Sequence, residues 1–95
     1  MLITDSGELR GFYAETRKWQ GIPGVERSRN GRLFVSFYSG GETEQPGNYA
    51  AVIKSDDGGL TWSEPLVVAY DGEDKRCYDP CLWMDPCGRL WFIWN

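Results

Sequence analysis

Histidine is absent from the 95 residues, basic residues are few, and no long apolar run is present. Without histidine, this stretch lacks the usual general base and the Ser or Cys triads that depend on it. Ten basic residues against 14 acidic ones give a net charge of −4, which argues against nucleic acid and anionic membrane surfaces as partners. No apolar stretch approaches the roughly 20 residues needed to span a bilayer.

Cysteine is scarce too, with three residues at positions 77, 81 and 87. Their odd number and spacing fit neither a closed disulfide framework nor a zinc motif. We therefore expect reduced thiols that pack as small hydrophobes, and no metal or other cofactor. The acidic run from Asp71 to Asp74 does not follow an EF-hand and indicates a solvated connector. No signal peptide is recognisable, which predicts a cytoplasmic chain as it stands and leaves a secreted or periplasmic parent open.

Aromatic residues make up 15% of the chain and twelve glycines supply turns, a composition typical of short strands. The first 21 residues show no clean period and are expected to form an entry segment. Apolar runs between turn signals predict an all-β chain without a long helix, with strands at 22–28, 32–38, 49–54, 65–70, 78–84 and 89–94. A complete small β-sandwich also fits this length.

An internal repeat relates residues 22–38 to residues 79–95 at a constant offset of 57 residues, without gaps. Four of the 17 aligned pairs are identical, and they lie at the strand entry, the hairpin turn and the start of the second strand. A four-stranded unit that repeats at about this length is typical of a propeller blade.

Residues 55–62 match the pattern Ser-x-Asp-x-Gly-x-Thr-Trp at every specified position, with Ser55, Asp57, Gly59, Thr61 and Trp62. The Asp can accept backbone hydrogen bonds, the Gly can adopt a conformation barred to other residues, and the Trp can act as an apolar plug. This Asp box resembles that of the sialidase (neuraminidase) superfamily and its BNR-repeat relatives, where it joins the third and fourth strands of a blade and has a structural role.

The resemblance extends from Trp19 to Asn95 and implies about one and a half blades of a six-bladed, sialidase-like β-propeller. Residues 22–70 would form the first four-stranded antiparallel blade, and residues 71–95 a connector and the first half of a second. We expect the chain to be an N-terminal fragment, or to obtain its missing strands from another copy, and its exposed sheet edge to favour self-association.

The resemblance also implies that substrate binds where the first strand starts and the loop after the second strand lies. Trp19 and Tyr78 are expected to stack on a sugar there, and Arg27 or Arg76 to contact an anion. Sialidases have an arginine directly before Ile-Pro, and this chain has Gly21 instead. The candidate catalytic residues are two carboxylic acids. Glu42 lies in the loop that supplies the family's general acid, and Asp79 lies at an inner-strand entry where burial of an unpaired Asp would be costly.

These features predict a fragment of a sialidase-like glycoside hydrolase whose parent acts on terminal sugars of glycans. The fragment alone is expected to be inactive, because the family's Tyr/Glu nucleophile pair comes from later blades. The alternatives are a non-catalytic carbohydrate- or protein-binding BNR propeller, which Gly21 favours, and a structural fragment without activity.

Overall fold

The structure, a computed structural model, describes residues 1–95 and is mostly β. Its elements are β1 (Leu2–Ile3), α1 (Ser6–Leu9), two 3-10 turns (Arg10–Phe12 and Ala14–Thr16), β2 (Trp19–Arg27), β3 (Leu33–Gly40), β4 (Tyr49–Ser55), β5 (Val67–Ala69), β6 (Cys81–Met84) and β7 (Leu90–Ile93). The all-β prediction agrees with this arrangement apart from the one short helix. None of the helices has the length and apolar character needed to cross a membrane.

The strands form a five-stranded antiparallel sheet in the order β1-β5-β4-β3-β2 and a separate two-stranded sheet of β6 and β7. Every predicted strand is present, but the bounds differ. Strand β6 begins at Cys81 and not at Tyr78; Asp79, with a φ of 48°, and Pro80 interrupt the pairing, although Tyr78 still exchanges two backbone hydrogen bonds with Asn95. Strand β2 begins three residues earlier than predicted, at Trp19, and pairs there with Gly40.

The entry segment is more ordered than the sequence predicted. Its strand β1 adds a fifth strand to the sheet by pairing with β5, with Leu2 opposite Ala69 and Ile3 opposite Val68. Helix α1 is capped by Asp5, whose carboxylate accepts a hydrogen bond from the Glu8 N–H at 3.1 Å. The segment packs on part of one face of the sheet.

The two faces of the five-stranded sheet have different cores, because successive strand residues point to opposite sides. One core packs the entry segment against the sheet and consists of Ile3, Leu9, Phe37, Tyr49, Ala51 and Val68. The other core consists of Ala50, Ala69 and Cys77, packed by Phe92 and Trp94. Burial raises the pKa of the Cys77 thiol. Cys81 and Cys87 are exposed free thiols, so the expectation that all three cysteines pack inside is wrong for these two.

The repeat predicted from the sequence is also a repeat of backbone conformation. Ile22 and its equivalent Asp79 both precede a proline and have φ of 51° and 48°, the only positive φ values outside glycine. The turn glycines Gly31 and Gly88 have φ of 89° and 82°. A positive φ at a β-branched residue such as Ile22 is strained and rare. Because a positive φ also occurs 57 residues later, at Asp79, the two hairpins share the same backbone conformation before the proline.

The two hairpin turns share their hydrogen bonds as well. Ser28 N–H donates to Arg32 O at 2.9 Å, and the equivalent Asp85 N–H donates to Arg89 O at the same distance. The turns also lie side by side, since the Arg29 guanidinium donates to the carbonyl of Pro86, its own equivalent, at 2.8 Å. The β6–β7 hairpin thus packs against the β2–β3 hairpin as a neighbouring copy of the same unit.

Candidate functional site

The start of β2, the loop 41–48 and the connector 70–80 meet at one end of the sheet, which we call the loop end. Trp19 begins β2 opposite Gly40, the last residue of β3. The Ser39 hydroxyl donates to the Trp19 carbonyl at 2.6 Å and fixes the backbone there. This end is where the sequence predicted substrate to bind.

The loop 41–48 is held by Asn48, a buried residue that the sequence did not single out. Its side-chain oxygen accepts from Gly41 N–H at 2.9 Å, and its amide nitrogen donates to the Thr43 carbonyl at 2.8 Å. The Asn48 carbonyl also accepts from Cys77 N–H at 3.2 Å, which joins the loop to the connector. These hydrogen bonds hold the loop 41–48 in one position at the loop end.

Aromatic rings and one guanidinium form a continuous cluster at the loop end. The Trp19 ring packs edge-on against Tyr38 with 5.3 Å between centroids, and Arg76 donates to the Tyr38 hydroxyl at 3.4 Å. Arg76 also lies over the Tyr78 ring at 4.6 Å and 3.6 Å from the Glu44 carboxylate. The hydrogen bond to Tyr38 raises the pKa of Arg76, so the guanidinium stays charged. The structure thus brings together three predicted binding residues, Trp19, Arg76 and Tyr78.

Gly21, the position at which the resemblance would place an arginine, lies against the Trp19 ring. A Cβ atom at Gly21 would lie 3.3 Å from Cζ2 and 3.4 Å from Cη2 of Trp19. Separations this short are tighter than ordinary van der Waals contact, so the indole lies directly over the glycine. A side chain at position 21 would require the ring to shift by a few tenths of an ångström.

Three other predicted site residues do not join the cluster. Arg27 is exposed at the far end of β2, where it pairs with Leu33, away from Trp19. Asp79 is exposed and makes no hydrogen bond, which overturns the argument that it is buried at a strand entry. Glu42 is likewise exposed in the loop, without a hydrogen bond or an ion pair.

Two open cavities flank the cluster. A shallow one of about 370 Å³ is lined by Trp19 with Ala14, Arg17, Lys18 and Gln20. A larger one of about 520 Å³ lies between the entry segment and the loop, and its lining includes Phe12, Tyr49, Tyr70 and Glu73. Phe12 packs edge-on against both tyrosines, with centroids at 4.8 Å and 5.5 Å. Burial raises the pKa of Tyr49, so its hydroxyl stays protonated.

The Asp box forms the turn between β4 and β5, at the opposite end of the sheet. Asp57 accepts from Thr61 N–H at 2.9 Å, from the Thr61 hydroxyl and from the Ser55 hydroxyl at 2.8 Å. These hydrogen bonds lower the pKa of Asp57 to about 2, and the bond from the Thr61 hydroxyl has the largest effect. Gly59 has a φ of 94°, and its carbonyl accepts from the Trp62 indole at 3.1 Å. Trp62 is 41% exposed, so the expectation of a buried plug is wrong.

The turn that joins β6 to β7 is also held by a carboxylate, that of Asp85, which was not among the predicted residues. Asp85 is buried and accepts from Cys87 N–H at 2.8 Å and Arg89 N–H at 3.0 Å, and from the Arg89 guanidinium at 2.7 Å and the Trp91 indole at 2.9 Å. The Trp91 hydrogen bond is the leading cause that lowers the pKa of Asp85 to about 2. The repeat could have indicated this role, because Asp85 is the equivalent of Ser28 in the β2–β3 turn.

Comparison of the chain with protein-family models, with curated proteins and with solved structures finds no match. The sialidase-type assignment therefore stays a prediction that rests on the Asp box and the repeat. No three His, Cys, Asp or Glu side chains come together in a group that could hold a metal ion. What the loop end offers is aromatic surface, one guanidinium and fixed polar backbone.

Proposed function

We propose that this chain is a unit of a sialidase-like, Asp-box β-propeller that binds a carbohydrate at its loop end without hydrolysing it. The observation that carries this proposal is the Trp19 indole over Gly21, at the position of the family's arginine. An arginine there would hold a substrate carboxylate by paired hydrogen bonds. A ring in its place offers an apolar surface that suits the C–H face of a sugar.

The propeller assignment is supported by three features of the backbone. Strands β2 to β5 form a four-stranded antiparallel meander, the expected first blade. The Asp box joins the third and fourth strands of this meander. The β6–β7 hairpin repeats the β2–β3 hairpin and lies beside it, as the start of a second blade would.

Carbohydrate binding is supported by the chemistry of the cluster. Sugars present hydroxyl groups that pair with fixed polar groups, and apolar faces that stack on aromatic rings. The loop end supplies the Trp19 ring, the stacked Arg76 and Tyr78, and the carboxylate of Glu44 beside them. Their mutual contacts hold these side chains in place, which lowers the entropic cost of binding.

The binding proposal predicts that Trp19→Ala lowers affinity for a glycan ligand at least tenfold, since a buried aromatic anchor dominates such sites. The ligand is found by screening the wild-type chain on an array of neutral and sialylated glycans, and its affinity is measured by calorimetry. Trp62→Ala is the matched control, because Trp62 is a partly exposed tryptophan at the opposite end of the sheet. Equal losses in both variants, or no glycan bound by the wild type, would contradict the proposal.

The hydrolase alternative needs two carboxyl groups that flank the scissile bond, about 5–9.5 Å apart. Glu42 and Asp79 are both exposed, and no hydrogen bond orients either of them. We therefore expect no release of fluorophore from a fluorogenic sialoside by the 95-residue chain, with an active sialidase as the positive control. Turnover that Glu42→Gln abolishes would overturn this expectation and favour the hydrolase.

A further inference from the structure

The outer face of the β6–β7 hairpin is apolar and exposed, and the one charged group over it is the Arg89 guanidinium, 5.7 Å from the centre of the Trp91 ring. Its side chains are Cys81, Trp83, Trp91 and Ile93, and the last three are 53%, 46% and 49% exposed. Two large rings in one patch on a monomer surface are unusual and mark an interaction surface. Trp91 is already fixed there, since its indole donates to Asp85 at 2.9 Å.

The repeat indicates what covers such a face. Counting back 57 residues, the outer face corresponds to Gly24, Glu26, Phe34 and Ser36 on the β2–β3 hairpin. That face is covered by the β6–β7 hairpin: a Cβ at Gly24 would lie 3.7 Å from the Cα of Cys81, and Glu26 accepts a hydrogen bond from Met84 N–H. In the first repeat, then, this face is the docking surface for the next hairpin.

The surface that would dock on the outer face is also present on the molecule. The hairpin covers the first repeat with Leu82, Met84, Leu90 and Phe92, whose equivalents are Val25, Arg27, Leu33 and Val35. Of these, Val25 is 62% exposed although it lies inside a strand. Next to it, an open groove of about 370 Å³ is lined by Pro23, Val35, Phe37 and Ile53 together with Arg17, Gln20 and Gly21.

We propose that a second copy of this chain places its β2–β3 face, around Val25 and this groove, on the outer face of the β6–β7 hairpin. Within one copy, the β6–β7 hairpin packs on the β2–β3 hairpin. The proposed contact between two copies has the same packing. Because the two surfaces differ, the association is head-to-tail and produces a ring or an open chain of copies. The proposal rests on the repeat and its contacts, and is independent of carbohydrate binding.

The test uses charge introduced on each surface separately, measured by sedimentation velocity up to about 1 mM protein, where even weak contacts are populated. We expect the wild type to form oligomers that grow with concentration. Trp83→Lys blocks the outer face and Val25→Lys blocks the complementary face, so each variant alone associates at least tenfold more weakly. Leu60→Lys, at an equally apolar and 85% exposed position in the Asp-box turn, is the control and leaves association unchanged.

The decisive measurement is an equimolar mixture of the two variants. Each retains the surface that the other has lost, so the mixture forms a discrete one-to-one dimer and nothing larger. A monomeric wild type, or a mixture that stays monomeric while both variants are folded by circular dichroism, overturns the proposal. So does self-association of Val25→Lys alone, which would indicate a symmetric contact through the outer face. If Trp83→Lys does not fold, Ile93→Lys on the same face replaces it.

Discussion

Replacing Gly40 by alanine is expected to lower the free energy of unfolding by about 3 kcal/mol or more, from backbone strain together with overpacking. Gly40 has a φ of 145°, a conformation that residues with a side chain rarely adopt. A Cβ atom there would also lie 2.2 Å from the side-chain oxygen of Asn48 and 3.0 Å from its Cα. The second contact is with backbone, so a side-chain rotation of Asn48 does not relieve it.

Urea denaturation of Gly40→Ala measures this effect, and the chain provides two matched controls. Gly31 has a φ of 89° with open space around its Cα, so Gly31→Ala reports backbone strain alone, about 1 kcal/mol. Gly11 has open space and no positive φ, so Gly11→Ala is expected to be nearly neutral. If Gly40→Ala is no more destabilising than Gly31→Ala, the contact with Asn48 does not restrict position 40.

The consequence for function is specific to the loop end. Asn48 holds both the loop 41–48 and the connector through its side chain and its carbonyl. Displacing Asn48 frees Glu44 and Arg76 to move relative to each other. Under the binding proposal, we therefore expect Gly40→Ala to weaken binding of a glycan even where the protein remains folded.

The second large effect is acid unfolding controlled by two carboxylates, Asp57 and Asp85. Both have a pKa lowered from 3.8 to about 2 in the folded chain, because each accepts several hydrogen bonds in its turn. Since the folded pKa is below the unfolded one, both groups stabilise the fold fully above about pH 4, and this stabilisation is lost as pH falls toward 2. We expect the melting temperature to fall as the pH is lowered through this window.

The measurement is a series of thermal melts between pH 2 and pH 6 for Asp57→Asn, Asp85→Asn and the double variant. Each single variant should lose stability at pH 6 and show a smaller decline than the wild type on acidification, because one titrating group is gone. The double variant should keep only a smaller decline, because Asp56 remains and its hydrogen bonds to Lys54 and Arg32 also lower its pKa. Asp74→Asn, which removes an exposed carboxylate that makes no hydrogen bond, is the control for charge. An undiminished decline in the double variant would contradict the assignment.

Local turns were the part of the fold that could be predicted. The Asp box satisfies its hydrogen bonds within eight residues, and the Asn-Gly hairpin turn within five, so residue type at fixed spacing is enough to specify them. The strands between these turns followed from apolar runs. The repeat was visible partly for the same reason, since one of its identities pairs Gly31 with Gly88, and both have a positive φ.

The candidate site was predicted only in part. Trp19, Arg76 and Tyr78 lie together as expected, because a strand start and the next connector share one end of an antiparallel sheet. Arg27 lies apart from them, because Trp19 and Arg27 are the two ends of β2. Along a strand, eight residues separate two positions by roughly 25 Å. Asp79 was misplaced because burial depends on what packs above a strand entry, which the local sequence does not contain.

The sequence by itself determined the class of fold, the turns and their carboxylates, and the repeat, since all of these depend on short-range spacing. Only the tertiary structure decided that the entry segment adds a strand by pairing Ile3 with Val68, far along the chain. It also decided that the Trp19 ring lies over Gly21 and that the outer face with Trp83 is left uncovered. These features arise from contacts between distant segments, and such contacts form only where the whole chain brings the partners together.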